Sequence, residues 1–253
     1  MSAPFSWIRP DPHGIRIVPA QTWIDPAKPV ERALVTHGHA DHARGGHGET
    51  IATPATLAIM KLRYATSDGA VPVEYGETVK LAGGVSATYI PAGHVLGSAQ
   101  ILLDHAGERV VITGDYKRRA DPTCAAFEVT PCDVFITEAT FGLPLFTHPP
   151  IEQEMAKLLA RLEAEPDRCV LVGAYALGKA QRVIAELRRA GHHAPIYLHG
   201  AMENMCRLYE DFGVDLGDCG WWPIRRRRRC GAMWSCARRL PWATGGAAAC
   251  PIP

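Results

Sequence analysis

Apolar and polar positions alternate in short, β-branched stretches through the first half of the chain. The pattern predicts strands over 13–24, 30–36, 71–75, 85–91, 99–104 and 109–114, punctuated by Gly and Pro. A helical period interrupts them at 54–63. There Thr53 can cap the first turn, Pro54 suits its fixed dihedral, and Leu57, Met60 and the stem of Lys61 follow helical spacing. His105-Ala-Gly-Glu108 reads as a hairpin connection, and another apolar strand covers 133–137. After Pro149-Pro150 the rhythm changes to helix 151–163, buried strand 169–174, helix 177–190 ended by Gly191, strand 195–198 and helix 201–212. Alternating helix and strand predicts a parallel sheet. The chain therefore divides into 1–148, 149–218 and a remainder, 219–253.

That remainder breaks every pattern. It holds four of the six Trp, four of the eight Cys and a run of five Arg, with no acidic residue and no apolar period. Cys219, Cys230, Cys236 and Cys250 lack the paired short spacing of a zinc module. Arg, Ala, Gly, Pro, Cys and Trp are what GC-rich codons yield out of frame, so 219–253 is expected to be an aberrant terminus, exposed or disordered outside the core.

Composition narrows the class. At 253 residues and 47% apolar content the chain can bury a large core. No apolar run approaches the roughly 20 residues of a membrane helix, and Met1-Ser-Ala-Pro-Phe-Ser6 lacks the regions of a signal peptide, which points to the cytoplasm. The scattered Cys residues read as reduced thiols. Seven of the 27 basic residues and none of the 26 acidic ones follow Asp218, so residues 1–218 carry a formal −6. An acidic body does not advertise nucleic-acid binding, but site carboxylates balanced by bound dications would make net charge misstate the local field.

The chemistry concentrates after 30–36. His37-Gly-His39-Ala-Asp41-His42 places four candidate ligands within six residues of a strand end, and His94 and Asp115 follow at the ends of two later strands. Imidazole and carboxylate suit Zn²⁺ and neighbouring metals, and Gly38 would let the backbone bend so that ligands at i and i+2 converge. One metal cannot easily take four ligands from such a loop and keep a position for water, so two adjacent metals are expected. His47 reads as structural.

His37-x-His39-x-Asp41-His42, His94, Asp115 and the earlier Asp25, in that order, resemble the successive motifs of the metallo-β-lactamase fold. Gly93-His94-Val-Leu-Gly-Ser-Ala-Gln100, Thr113-Gly-Asp-Tyr116 and Phe135-Ile-Thr-Glu138-Ala-Thr-Phe-Gly142 are similar to the β-CASP nucleases within it. The wording of 114–124 and 141–144 resembles the bacterial ligase-associated DNA exonucleases most. The resemblance implies an α/β sandwich of αββα layers in 1–148 and the start of an inserted β-CASP-like βα domain in 149–218. It also implies two divalent ions, zinc with manganese as the alternative. His37, His39 and His94 would hold one, Asp41 and His42 the other, and Asp115 would bridge. Asp25 would orient ligand loops, and Glu138 would assist proton transfer or support ligands.

Lys117, Arg118 and Arg119 beside Asp115 could meet phosphates, as could Lys179 and Arg182 at the start of a helix. The implied activity is hydrolysis of phosphodiesters, as a DNA exonuclease in end processing partnered by a ligase or helicase. RNA 3′-end processing, thioester or lactone hydrolysis, and an inactive fragment are the alternatives.

Overall fold

The computed structural model describes residues 6–64 and 69–222. Two β-sheets face one another. The first runs in spatial order β1 (Ile8–Asp11), β2 (Gly14–Ile17), β3 (Thr22–Ile24), β4 (Arg32–Leu34), β5 (Glu49–Ala52) and β6 (Ala70–Pro72). The second consists of β7 (Thr78–Lys80), β8 (Ser86–Pro91), β9 (Ala99–His105), β10 (Glu108–Ile112) and β11 (Val134–Ile136), in the order β11-β10-β9-β8-β7. Ile17, Ile24, Leu34 and Ile51 from one sheet meet Ala87, Tyr89, Ile101, Leu103 and Val110 from the other in one buried cluster. The alternation seen in the sequence is this inward-facing set.

Helix α1 (Pro54–Tyr64) covers the outer face of the first sheet, where Met60 joins Ala33, Val35 and Ala52. Thr53 caps it as expected, its Oγ1 accepting from Thr56 N at 3.3 Å. The hairpin at 105–108 pairs His105 with Glu108, and both central residues, Ala106 and Gly107, take left-handed φ.

The expected strand 13–24 divides into β2 and β3. Pro19 offers no ladder donor and Gln21 takes φ 49°, so the chain reverses at 18–21 and the two halves pair antiparallel. Strands β1, β5 and β7, each of three or four residues, are not expected from the sequence.

From 151 onward a separate cluster forms among α2 (Ile151–Ala164), α3 (Lys179–Arg189), β12 (Ile196–His199) and α4 (Glu203–Asp211). It joins the sandwich through Ala55 and Ile59 of α1 and through Leu96. Two expectations fail here. Residues 169–174 form no strand. Val170, Val172 and Ala174 alternate with exposed neighbours as a half-buried strand would, but the segment has no ladder.

The parallel partner of β12 is instead β13 (Cys219–Trp222), in register Ile196↔Cys219 to His199↔Trp222. Cys219 and Trp221 pack against the cluster, so the first residues of 219–253 belong to the fold rather than to a disordered tail. Arg188 explains the choice. Its guanidinium donates to the carbonyls of Leu216 (3.0 Å), His192 (2.8 Å), Ala194 (2.7 Å) and Asp218 (2.7 Å), tying together the entries to both strands. The remainder of the expected tail, 223–253, lies outside the described residues.

Among the described residues no helix is long and apolar enough to cross a membrane. Cys124, Cys132, Cys206 and Cys219 carry free thiols.

Candidate metal centre

Every candidate ligand lies just past the C-terminal end of a strand. Asp25 follows β3, His37 follows β4, His94 follows β8, Asp115 follows β10 and Glu138 follows β11. β3 and β4 run parallel, as do β10 and β11, so these ends meet at one edge of the sandwich. Residues 39–43 form a single helical turn, with His42 N and Ala43 N both donating to His39 O. The backbone bends at Gly38 and His37 and His39 converge as expected, though without a left-handed φ at the glycine. Its lack of a side chain matters through space, because a Cβ there would lie 2.7 Å from Ile59 Cγ2 of α1. Gly114 is needed on both counts: φ is +54° and a Cβ would lie 2.4 Å from Thr36 Oγ1.

His37, His39, His94 and Asp115 each bring one ligand atom within 4.8 Å of the others. His37 Nε2 and His94 Nε2 stand 3.0 and 3.1 Å from His39 Nδ1. The hydrogen bonds around them assign the protons. Thr36 Oγ1 spends its one proton on Asp25 Oδ2 at 2.6 Å, so at 3.1 Å it accepts from His37 Nδ1, leaving His37 Nε2 a bare lone pair. His39 Nε2 faces Leu177 O at 3.4 Å, which leaves Nδ1 bare as well. Lone pairs aimed at one point about 3 Å apart repel unless a cation lies between them. Tetrahedral ligation at 2.0–2.1 Å puts neighbouring nitrogens about 3.3 Å apart, so the donor set fits a divalent metal.

Electrostatics agree. Burial, then the neighbouring imidazoles His42, His39 and His94, hold the pKa of His37 well below its ordinary value. Burial, then His39, takes that of His94 down to about 4. Burial also lowers His39. Three neutral imidazoles at neutral pH are what metal binding requires.

Asp115 stands between two groups. Its Oδ2 lies 3.5 Å from His94 Nε2 and 3.9 Å from His37 Nε2, while Oδ1 lies 3.4 Å from His42 Nε2. Burial raises its pKa against the pull of His42. Asp41 stands apart, with its side chain 78% exposed and Oδ2 3.8 Å from His42 Nε2.

Asp25 is geometrically grouped with His37 and His42, but its oxygens are already committed. Oδ1 accepts from Thr36 N at 2.7 Å, and Oδ2 accepts from Thr36 Oγ1 and from His42 Nδ1 at 2.7 Å. Asp25 holds a left-handed φ of 44°, uncommon for a non-glycine residue, to make these bonds. Burial lowers the pKa of His42, but the hydrogen bond and charge of Asp25 outweigh it and hold it up at about 8. Glu138 accepts from Tyr116 N at 3.4 Å and Thr140 N at 3.1 Å; against burial, these bonds keep its carboxyl below the ordinary range.

The five basic residues fare differently. Arg118 is exposed, and Arg119 reaches Pro149 O at 3.2 Å. Lys179 lies exposed over the ring of Tyr175. Lys117 and Arg182 both turn to Asp121, whose side chain is 3% exposed and also accepts from Thr123 N and Oγ1. Nothing in the spacing of Asp121 announces this. The Leu177 carbonyl beside His39 is equally invisible to sequence, since 138 residues separate them.

A two-sheet sandwich with a three-histidine, one-aspartate centre at its strand ends defines a metal-binding α/β protein. Residues 16–173 match the metallo-β-lactamase superfamily, and the chain belongs to it. It is similar to a probable DNA ligase of Opitutus terrae, 32% identical over 207 residues covering 80% of this chain and 20% of that protein. Endoribonuclease YSH1 of Mycosarcoma maydis is 28% identical over 75% of this chain and 26% of its own length. Cleavage and polyadenylation specificity factor subunit 3-I of Arabidopsis thaliana is 28% identical over 83% and 36%. The chain thus spans only about a fifth to a third of these relatives. A crystal structure of a protein of unknown function from Enterococcus faecalis V583 shares the fold, with TM-score 0.50 and 14% identity over 77% of this chain and 58% of that one.

Proposed function

We propose that the chain is a two-metal phosphodiesterase of the β-CASP kind, acting on DNA ends as an exonuclease. The observation that carries this reading is Asp115, whose two oxygens face two different histidine groups, as a bridging carboxylate would. His37, His39 and His94 would hold one divalent ion, Asp41 and His42 the second, with zinc the expected metal and manganese the alternative. Such a pair supplies a metal-activated water and charge stabilisation for phosphodiester hydrolysis.

The chain's own residues do the rest. Asp25 keeps a proton of His42 on Nδ1, so that Nε2 would be the nitrogen to lose its proton and take the ion. Leu177 O orients His39. Glu138, whose charge is felt by Asp115 and His94, would assist proton transfer or support ligands. Lys117 and Arg182 serve Asp121 in this arrangement, which leaves Arg118, Arg119 and Lys179 for substrate phosphates.

On this reading the metallo-β-lactamase domain would end near residue 148 and a β-CASP-like segment would begin beyond it, although the superfamily match itself runs to residue 173. Similarity to a probable DNA ligase favours DNA and a ligase as partner, with a helicase the alternative that the sequence resemblance implies. Similarity to an endoribonuclease carries the second reading, RNA processing.

The test is metal analysis and hydrolysis of 3′- and 5′-labelled single strands. Two ions per chain are expected, with loss of hydrolysis in Asp115→Ala and little change in fold. Undiminished hydrolysis in that variant removes the two-metal assignment. Faster cleavage of RNA than of matched DNA replaces the DNA reading, and turnover of thioesters or lactones alone replaces both.

A further inference from the structure

Tyr175 is 74% exposed, and the Lys179 ammonium sits 4.9 Å from its ring centroid. Such pairs are common on protein surfaces. What sets this one apart is the turn that carries it. Tyr175 O accepts from Ala180 N at 3.1 Å, closing the turn before α3. Gln181, fully buried, staples it from within: its Oε1 accepts from Gly178 N at 2.9 Å and its Nε2 donates to Ala176 O at 2.9 Å. Gly178 takes φ +85° and presses so closely on the loop after His94 that a Cβ would lie 2.4 Å from Val95 Cγ1. The next residue back, Leu177, is buried and offers its carbonyl to His39. The inner side of this turn is therefore held against His39 and against Val95, the residue after His94, while Tyr175 and Lys179 are exposed to solvent.

Two residues of chain span at most about 7 Å and Leu177 O touches His39, so the Tyr175 backbone lies within roughly 13 Å of the His39 imidazole, about two nucleotides along a strand. An exposed aromatic face on a fixed turn offers a surface on which a base can stack, and a neighbouring ammonium suits the adjoining phosphate. We infer that Tyr175 and Lys179 form a subsite for single-stranded nucleic acid beside the metal centre. The Tyr175 ring stacks on a base near the scissile phosphate, and Lys179 meets the backbone. This rests on the nuclease reading above and adds to it a base contact that discriminates a nucleotide chain from a bare phosphodiester.

The test uses the full chain loaded with metal and a fluorescent, nuclease-resistant phosphorothioate strand, with an abasic strand of the same length as control. Tyr175→Ala should weaken binding of the base-bearing strand roughly 5- to 100-fold, the range for one base–aromatic stack, and Tyr175→Trp should restore it. The same variant should barely affect the abasic strand. Lys179→Met should lower the salt dependence by about one ion on both strands. If Tyr175→Ala binds the base-bearing strand as wild type does, or loses both strands equally, the stacking subsite is wrong and the nuclease reading stands. If wild type neither binds nor cleaves any strand, the nuclease reading falls and takes the subsite with it.

Discussion

Asp121 offers the sharpest test of how the two halves of the chain are joined. Its carboxylate is almost fully buried and accepts from Thr123 N at 2.9 Å, Thr123 Oγ1 at 2.6 Å and the Lys117 ammonium, with Arg182 Nε at 3.4 Å. That last contact is an ion pair too poorly aligned to be a hydrogen bond, since Arg182 Nε is otherwise buried without a partner. Lys117 lies two residues past Asp115, and Arg182 lies in α3, so one carboxylate ties a metal loop to the second cluster. Asp121→Ala strands two cations and two neutral donors around a small void. Removing one partner of a buried pair costs about 3–5 kcal/mol, but Lys117 and Arg182 keep 22% and 24% of their side-chain surface in water, which places the loss near the lower end. With a urea slope of about 2–3 kcal/mol/M, the midpoint should fall by roughly 1 M. Adding Lys117→Met should recover part of the loss, because the stranded ammonium is then gone. A fall of under about 0.5 kcal/mol in Asp121→Ala, within the range of ordinary surface substitutions, would refute the linkage.

Other expectations follow from the same reasoning. In the metal-free chain His42 titrates at about 8 against about 6.5 unfolded, so the stabilisation it gives is complete below 6.5 and lost as pH rises through 8. Burial depresses the pKa values of His37, His39 and His94, which favours the fold as pH rises, so the test is a comparison: between pH 6 and 8.5 metal-free wild type should lose about 2 kcal/mol relative to Asp25→Asn, and the same pH dependence in both would assign the effect elsewhere. Arg188→Ala should release β13 from β12, seen as lost amide-exchange protection over 196–199 with stability reduced by at least about 1.5–3 kcal/mol, the worth of a single bond to a charged donor, since the freed carbonyls can turn to water. Retained protection there would show that Arg188 is dispensable.

The sandwich and its centre were legible in the sequence to the extent that they depend on local pattern. Period-two alternation over 85–91 and 99–104, the capped start at Thr53-Pro54 and the hairpin at 105–108 are properties of neighbouring residues, and each is found where the sequence places it. The histidine cluster was legible for the same reason, because strands that end at one edge of a sheet bring their following residues together. Only the tertiary structure decided what depends on contacts between distant residues. Residues 169–174 have a strand's alternation but no partner, while the unpatterned Cys219–Trp222 gains one because Arg188 gathers four carbonyls from distant loops. Lys117 and Arg182, basic in a position suited to phosphate, are claimed by a buried carboxylate. A strand needs a neighbour and a charge needs its nearest opposite, and both are set by distances that only the folded chain defines.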